Sequence, residues 1–295
     1  MLRLHAPAKL NLYLRILGRR PDGYHELETL FERIDLADEL TFKPQARGIT
    51  MTCDDPTLAC GASNLVTKAA HLLQQTCNVS QGAAIHLAKR IPIAAGLGGG
   101  SSDAAATLIG LNRLWALRLS AQRLRQLAGP LGADVPFFLE RGPFAVGRGR
   151  GDACEPVAGG CPTLWQVVVV PTARLSTQDV YEGFDAAKPL KKSSLTVSRR
   201  SISMLLHALR NGSLSELASG LRNDLQPEAI RRCPVIQDIQ GFLQSCPCLG
   251  TMVSGSGPSV FGLCQDRAHA ETASRRLREK GGSSWRIAVV KTATR

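Results

Sequence analysis

The sequence predicts an α+β protein with two domains, and three observations support this prediction. The chain has 295 residues, a length that suits one large domain or two ordinary ones. Its first half begins with strand patterns and continues with helix patterns. Beyond about residue 155 the pattern changes to a buried strand, several helical segments and a late strand–helix–strand unit. We therefore expect one domain over residues 1–155 and a second over residues 156–295.

The first domain is predicted to open with strands. The segment "KLNLYLRIL", which follows Leu2 and Leu4, alternates in the way that a half-buried strand does. A "PDG" turn signal comes next, and "TLFERIDLADELTF" and "AIHLAKRI" repeat the strand pattern. These segments together predict a sheet near the start of the chain.

Helices are predicted to follow this sheet. Asn64 is a suitable N-cap for "LVTKAAHLLQQT", a second helix is expected over residues 101–115, and a third begins after Ser120 and ends at "GP". The segment "VPFFLERGPFAVGRG" predicts strands around a turn. In the second domain, residues 167–170 predict a buried strand, and "GTMVSGSGPSVFGLC", "DRAHAETASRRLREKG" and "WRIAVVKT" predict the late strand–helix–strand unit.

The composition argues against several classes of protein. No apolar run is long enough to cross a bilayer, and the first residues lack the apolar stretch of a signal peptide, so we expect a cytoplasmic protein with no membrane partner. Nine cysteines, an odd number spread along the chain, argue against a disulfide framework. The net charge is +12, but only 5% of the residues are aromatic. We therefore expect anionic small molecules as ligands and no nucleic acid.

The segment "IPIAAGLGGGSSDAAATLIGLNRLW" is the most informative part of the sequence, with four glycines in the five positions 96–100. It fails the P-loop pattern, which needs a lysine, and the dinucleotide pattern, whose last glycine is replaced by Ser101. Small residues let a loop approach an anion, and the free amides of a first helical turn attract negative charge. We predict a polyphosphate site here, with a tight strand-to-helix connection as the alternative.

Three separated segments resemble the GHMP kinases, the superfamily of galactokinase, homoserine kinase, mevalonate kinase and phosphomevalonate kinase. They are "APAKLNLYLRILGRRPDGYHEL", "PIAAGLGGGSSDAA" and "MVSGSGPSVFGL", and "LGADVPFFL" and "RNDLQP" lie between them in the order expected for the family. The glycine loop is similar to the whole superfamily. The "RRPDGYHEL" segment resembles the members that phosphorylate 4-diphosphocytidyl-2-C-methyl-D-erythritol. The "GSG" of the last segment predicts a loop whose backbone approaches the substrate phosphates.

The resemblance implies a fold and a reaction. The implied fold is the two-domain GHMP kinase fold, with an N-terminal ribosomal-protein-S5-like α/β domain, a C-terminal ferredoxin-like α/β sandwich and an active site in the cleft between them. The implied reaction transfers the γ-phosphoryl group of ATP to the tertiary 2-hydroxyl of 4-diphosphocytidyl-2-C-methyl-D-erythritol, in the non-mevalonate isoprenoid pathway. The expected ligands are ATP, Mg²⁺ and the cytidine-diphosphate alcohol, and the chain is expected to be a monomer or a homodimer. The implied ATP-binding residues are Pro92, Ile93, Ala94, Ala95, Gly96, Leu97, Gly98, Gly99, Gly100, Ser101 and Ser102.

Two residues are predicted to perform the chemistry. Lys9 is a cation within an alternating strand, where charged residues tend to be paired or functional. Asp134 stands on a predicted turn, from which a carboxylate can accept the proton of a bound alcohol. Taken alone, Lys9 is more simply interpreted as a solubility residue on an edge strand, and Asp134 as a turn former. The resemblance implies that Lys9 and Asp134 lie together, with Asp134 as general base and Lys9 as the cation that keeps it ionised and stabilises the attacking oxygen.

Aromatic residues are predicted to hold the acceptor. Tyr24 and the adjacent His25 offer a ring that stacks on a base and an imidazole that bonds to its edge. The resemblance implies that Tyr24 and Tyr181 enclose the cytosine while His25 contacts its edge, and Phe184 is a rival for the second ring. Asn11 follows Lys9 by two residues on the same strand face and is implied to contact the erythritol part or Asp134.

Two alternatives remain open at this point. Another GHMP kinase, acting on homoserine or a mevalonate-type alcohol, would share the glycine loop but would not need rings that enclose a pyrimidine. A nucleic-acid-binding protein built on the same N-terminal fold would explain the positive charge. It would not explain the glycine loop together with Lys9 and Asp134.

Overall fold

The computed structural model describes residues 1–187, 195–281 and 284–293. The strands in these ranges are β1 (Leu2–Arg19), β2 (His25–Gln45), β3 (Ile49–Cys53), β4 (Gly82–Ala88), β5 (Phe144–Arg148), β6 (Ala153–Pro156), β7 (Trp165–Pro171), β8 (Arg222–Asn223), β9 (Cys248–Val253), β10 (Val260–Cys264) and β11 (Trp285–Lys291). The helices are α1 (Leu65–Thr76), α2 (Gly99–Leu114), α3 (Ala121–Ala128), α4 (Val135–Leu139), α5 (Thr177–Ala187), α6 (Leu195–Asn211), α7 (Leu214–Ser219), α8 (Gln226–Arg232), α9 (Val235–Gln244) and α10 (Arg267–Gly281). No helix within the described ranges combines the length and apolarity needed to cross a membrane.

Two sheets organise the chain. The first contains seven strands, ordered β3-β4-β2-β1-β8, with β5 paired to β2 and β6 paired to β5. The second contains four antiparallel strands, ordered β11-β7-β10-β9. The short strand β8 comes from the second half of the chain and pairs with β1, so the first sheet itself links the two halves. The predicted α+β fold of two domains is confirmed, and the boundary between residues 155 and 156 stays a prediction.

The long hairpin of β1 and β2 forms the centre of the first sheet. Its antiparallel register places Leu2 opposite Phe42 and Arg19 opposite His25. Three register shifts interrupt the pairing, one of them directly after Asn11. Shifts of this kind interrupt the regular alternation of side chains between the two faces of a sheet. The hairpin can therefore point polar side chains away from an otherwise apolar face.

Helix α2 packs closely on the first sheet. Its buried residues Ala104, Leu108 and Leu111 belong to the same apolar cluster as Phe42 of β2. A β-carbon at Gly110 would lie 2.5 Å from the Phe42 ring, a distance that no side chain tolerates in a close-packed interior. Glycine at position 110 therefore sets how closely α2 approaches the sheet.

Most of the predicted elements are confirmed, with one clear exception. Asn64 caps α1 by accepting a hydrogen bond from the Val66 amide at 2.9 Å, and Ser120 caps α3. The strand predicted from "VPFFL" is wrong, because these residues form helix α4. A short apolar run has the same pattern in a buried helix and a buried strand, and Pro136 is well suited to a first helical turn.

A buried carboxyl group joins the two sheets. Glu32 of β2 is fully buried and accepts hydrogen bonds from the side-chain amide of Gln166 on β7 at 2.8 and 2.9 Å. The hydroxyl of Thr292 also donates to it, at 2.7 Å. Burial raises the pKa of Glu32 to about 8, although the bonds from Thr292 and Gln166 oppose this shift. The group is therefore mostly neutral at neutral pH.

We predict that ionisation of Glu32 destabilises the protein as the pH rises. The folded-state pKa of about 8 lies above the ordinary value of 4.5, so the folded protein holds this proton more tightly than the unfolded chain does. The stabilising contribution is complete below the lower pKa and is lost as the pH rises to the upper one. In urea denaturation, Glu32→Gln should remove this pH-dependent loss, which the two pKa values put on the order of 5 kcal/mol.

The control for this change is Glu155→Gln, which removes an exposed carboxylate of the same sheet. It should leave the pH dependence of the unfolding free energy as in the wild type. Equal pH slopes for Glu32→Gln and the wild type would contradict the assignment.

Candidate active site

A cavity of about 1020 Å³ opens between the two halves of the chain. Its wall includes parts of β1, the loop before α2, the start of α4, helix α5 and the loop after β9. Of the site residues predicted from the sequence, all but Ser102 line it. Those that do are Lys9, Asn11, Tyr24, His25, Asp134, Tyr181 and residues 92–101.

The glycine loop forms one wall of this cavity. Gly96 and Gly98 have left-handed backbones, with φ values of 74° and 69°, which glycine adopts without steric cost. Gly98 is the N-cap of α2, which begins at Gly99, two residues before the predicted start. The first amides of a helix have no partner inside it, so those of Gly99, Gly100 and Ser101 are available at the cavity wall. This arrangement is suited to binding the phosphates of a nucleotide.

Ser102 lies behind the wall rather than in it, which differs from the prediction. It is only 1% exposed, and its amide donates to the carbonyl of Gly98 at 2.9 Å. Its hydroxyl has no hydrogen-bond partner in the part of the chain that the structure describes. The earlier start of α2 explains the difference, because it turns this side chain toward the core.

A second glycine-containing loop, between β9 and β10, contacts the first. The hydroxyl of Ser254 donates to the carbonyl of Gly96 at 3.0 Å, and that of Ser259 donates to the carbonyl of Ala95 at 2.5 Å. A β-carbon at Gly96 would lie 2.2 Å from the Ser254 carbonyl oxygen. The Lys9 Nζ lies 3.1 Å from the corresponding position at Gly255. The "GSG" loop therefore reaches both the glycine loop and the polar centre of the cavity.

Lys9, Asn11 and Asp134 come together inside the cavity. The Lys9 Nζ donates to Asn11 Oδ1 at 2.5 Å and lies 3.8 Å from Asp134 Oδ2. Burial lowers the pKa of Lys9, and the Asp134 charge opposes this shift. Asn11 is itself held by donation to the Thr29 hydroxyl at 2.8 Å. The side chain of Asp134 makes no capping bond to α4, so its carboxylate is available to a ligand.

The residues predicted to bind the acceptor base line the same cavity. Tyr24 is 56% exposed, and the Arg150 guanidinium lies 4.9 Å from its ring centroid. His25 is buried, and its ring centroid lies 4.8 Å from that of Tyr181, with the planes tilted by 32°. The Nε2 atom of His25 is 2.7 Å from Asp185 Oδ1. In the structure Tyr181 therefore packs against His25, and Asp185 is a contact that the sequence did not indicate.

The two candidates for the second ring differ in position. Tyr181 lines the cavity, whereas Phe184 is buried in an apolar cluster with Val180 and Leu225. Burial raises the pKa of the Tyr181 phenol, and the charge of Asp134 adds to this effect. Tyr181 is therefore the ring that a ligand in the cavity can reach.

Three charged residues beside the glycine loop were not predicted as site residues, and two of them, Lys89 and Asp103, line the cavity. The Lys89 Nζ forms ion pairs with Asp103 Oδ2 at 2.8 Å and with Asp38 Oδ2 at 2.5 Å. Burial raises the pKa of Asp103 to about 7, although the Lys89 charge opposes this. The Nζ lies 3.1 Å from where a β-carbon of Gly99 would be. Asp103, in the "SSD" of the glycine segment, was the signal that the sequence offered. Lys89 is 14 positions from Asp103 and 51 positions from Asp38, so no local pattern joins the three residues.

The comparison with known families agrees with this geometry. Residues 64–142 match the family described as "GHMP kinases N terminal domain", and residues 205–283 match "GHMP kinases C terminal". The chain belongs to the GHMP kinases, which confirms the family that the motifs predicted. Membership of this family implies the use of ATP.

Relatives of similar length carry a more specific name. A protein of Pelotomaculum thermopropionicum named 4-diphosphocytidyl-2-C-methyl-D-erythritol kinase is 41% identical over 274 residues, covering 92% of each chain. A protein of the same name from Syntrophus aciditrophicus is 38% identical over 292 residues, covering 99% of each chain. A crystal structure of 4-(cytidine 5'-diphospho)-2C-methyl-D-erythritol kinase has a TM-score of 0.80 and 36% identity, covering 99% of this chain and 100% of the other. A homoserine kinase from Cytophaga hutchinsonii shares the fold, with a TM-score of 0.77 and 21% identity, covering 99% of this chain and 94% of the other.

We predict that Gly96→Ala weakens both the fold and ATP binding. The added β-carbon would lie 2.2 Å from the Ser254 carbonyl oxygen, at a residue with left-handed φ, so the loop must move. We expect a loss of on the order of 2 kcal/mol in the free energy of unfolding and a rise of about tenfold in the KM for ATP. Steady-state kinetics and urea denaturation measure the two effects.

Gly129→Ala is the matched control, because no atom lies within 4 Å of the new β-carbon and φ is −53°. It should leave the KM for ATP unchanged and should raise the free energy of unfolding by at most about 1 kcal/mol. If Gly96→Ala kept the wild-type KM for ATP, the close approach of the two loops would not be needed for nucleotide binding.

Proposed function

We propose that this GHMP kinase transfers the γ-phosphoryl group of ATP to the 2-hydroxyl of 4-diphosphocytidyl-2-C-methyl-D-erythritol, a step of the non-mevalonate isoprenoid pathway. The products are the 2-phosphate and ADP. The observation that carries the proposal is that one cavity contains both the glycine loop and the Lys9–Asp134 pair, together with Tyr24 and His25. The names of the full-length relatives support the same acceptor.

ATP enters as its Mg²⁺ complex. The described residues contain no group of three or more His, Cys, Asp or Glu side chains that could hold a metal ion. Magnesium bound to a nucleotide takes its ligands mainly from phosphate and water, so no protein cage is required. Residues 92–101 bind the phosphates, with the first-turn amides of α2 as the principal donors.

Lys9 and Asp134 act on the acceptor hydroxyl. Asp134 is the general base that accepts its proton, and the Lys9 ammonium stabilises the charge that develops on the attacking oxygen. Asn11 holds the Lys9 Nζ in place. Phosphoryl transfer through a loose transition state asks for accurate positioning, and the network from Thr29 through Asn11 to Lys9 provides it.

The pyrimidine of the acceptor lies between Tyr24 and Tyr181, with His25 at its edge. The Arg150 guanidinium covers one face of the Tyr24 ring, which leaves the opposite face for the base. Stacking of this kind orients a planar ring and excludes water from it.

We propose a domain boundary between residues 155 and 156. It falls one residue before the end of β6 at Pro156, and the next strand along the chain, β7, belongs to the second sheet.

Release of ADP from ATP tests the acceptor assignment. We predict that kcat/KM with the cytidine-diphosphate alcohol exceeds that with homoserine or mevalonate by at least about a hundredfold, because the smaller acceptors leave the base-binding groups unpaired. Comparable turnover of either smaller acceptor would refute this assignment within the family. Salt-dependent RNA binding without any ADP release would refute the kinase assignment itself.

We predict that Asp134→Asn lowers kcat by a factor of about 10² to 10⁴. The amide cannot accept the hydroxyl proton, but it is nearly the same size, so the KM for ATP and the melting temperature should stay close to wild type. Asp238→Asn, an exposed change on α9, serves as the control. Turnover by Asp134→Asn at the wild-type rate would remove Asp134 from the role of general base.

A further inference from the structure

Helix α5 presents a carboxylate to His25 from the other half of the chain. Tyr181 and Asp185 are four residues apart on α5, so they share one helix face, and both line the cavity. Asp185 Oδ1 lies 2.7 Å from the Nε2 atom of His25, the first residue of β2. The Arg19 guanidinium lies 3.8 Å from the other carboxylate oxygen. The contact therefore connects the base-binding turn to α5.

This contact determines which imidazole nitrogen of His25 carries the hydrogen. An ionised carboxylate only accepts hydrogen bonds, so Nε2 must donate to Asp185. In the neutral ring the other nitrogen, Nδ1, is then an acceptor. No protein group among the described residues forms a hydrogen bond with Nδ1.

The rings around His25 hold it in this orientation. One face packs on Tyr181, with centroids 4.8 Å apart, and Phe184 meets the ring at 84° with centroids 6.5 Å apart. His25 is 8% exposed and yet lines the cavity. The ring therefore has little freedom to turn, and Nδ1 stays an acceptor on a residue that lines the cavity.

We propose that Asp185 is a positioning residue that makes His25 select cytosine over uracil. This inference rests on the function proposed above and names the group that decides the pyrimidine. Cytosine carries an amino donor at the ring position where uracil carries a carbonyl acceptor. When Nδ1 is an acceptor, it can accept a hydrogen bond from the amino group of cytosine. With uracil, Nδ1 would face a carbonyl oxygen, and because both atoms are acceptors, both would be left without a hydrogen bond.

The stacking rings cannot make this distinction. Aromatic stacking tolerates any base, because every base has a π-face, so Tyr24 and Tyr181 would hold both pyrimidines. Discrimination needs a polar group of defined hydrogen-bonding direction at the edge of the base. His25 supplies this group, and Asp185 defines its direction.

The kinetic test compares the cytidine-diphosphate alcohol with its uridine analogue. Asp185→Ala leaves Nε2 without its acceptor, so Nδ1 can carry the hydrogen instead. We expect the KM for the cytidine acceptor to rise about tenfold, with kcat and the KM for ATP close to wild type, and the cytidine-over-uridine ratio of kcat/KM to fall about tenfold. Asp185→Asn, whose carbonyl still accepts from Nε2, should retain most of the selectivity. Asp179→Ala, an exposed change on α5 outside the cavity wall, should behave as wild type.

The second measurement is ¹⁵N NMR of the His25 ring in the full chain without substrate. The wild type and Asp185→Asn should show the hydrogen on Nε2, and Asp185→Ala should show a mixture of the two tautomers. This readout does not depend on turnover, so it separates the two proposals. If the wild type failed to phosphorylate the cytidine acceptor, the proposed function would be wrong. The NMR result would still show whether Asp185 determines which nitrogen of His25 carries the hydrogen.

Two results would overturn the inference. One is a wild-type ring with its hydrogen on Nδ1. The other is an Asp185→Ala variant whose KM rises equally for the cytidine and uridine acceptors, because equal loss would mean that Asp185 only holds the two halves of the chain together.

Discussion

The active site depends on the close approach of two glycine-containing loops, one from each half of the chain. No side chain fits between Gly96 and the Ser254 carbonyl, because a β-carbon there would lie 2.2 Å from that oxygen. The hydroxyls of Ser254 and Ser259 then hold the carbonyls of Gly96 and Ala95. With its carbonyls held in this way, the loop presents the first amides of α2 at the wall of the cavity that Asp134 also lines.

Buried charges are arranged around this approach, and each has a partner. Lys9 lies beside Asp134 and next to the second loop, while Lys89 lies beside the first loop and pairs with Asp38 and Asp103. A buried ammonium group without a carboxylate would be expelled or would lose its proton. The carboxylates therefore hold both ammonium groups at the wall of the cavity before any ligand has bound.

The fold and the acceptor are determined by different parts of the chain. The fold is shared with a homoserine kinase at 21% identity, so it does not by itself define a substrate. The residues that we propose distinguish acceptors lie in the turn between β1 and β2 and on one face of α5. The turn and the helix meet at the contact between His25 and Asp185.

The sequence by itself determined the family, the glycine loop and the caps at Asn64 and Ser120, because each depends on residues that are close neighbours in the chain. Only the tertiary structure decided that "VPFFL" is a helix and that α2 begins at Gly99, since short apolar or glycine-rich runs suit more than one local structure. The contact of His25 with Asp185, which spans 160 positions, was also decided by the tertiary structure. A local pattern carries no information about such a pair, because long-range packing of separate elements determines which side chains meet.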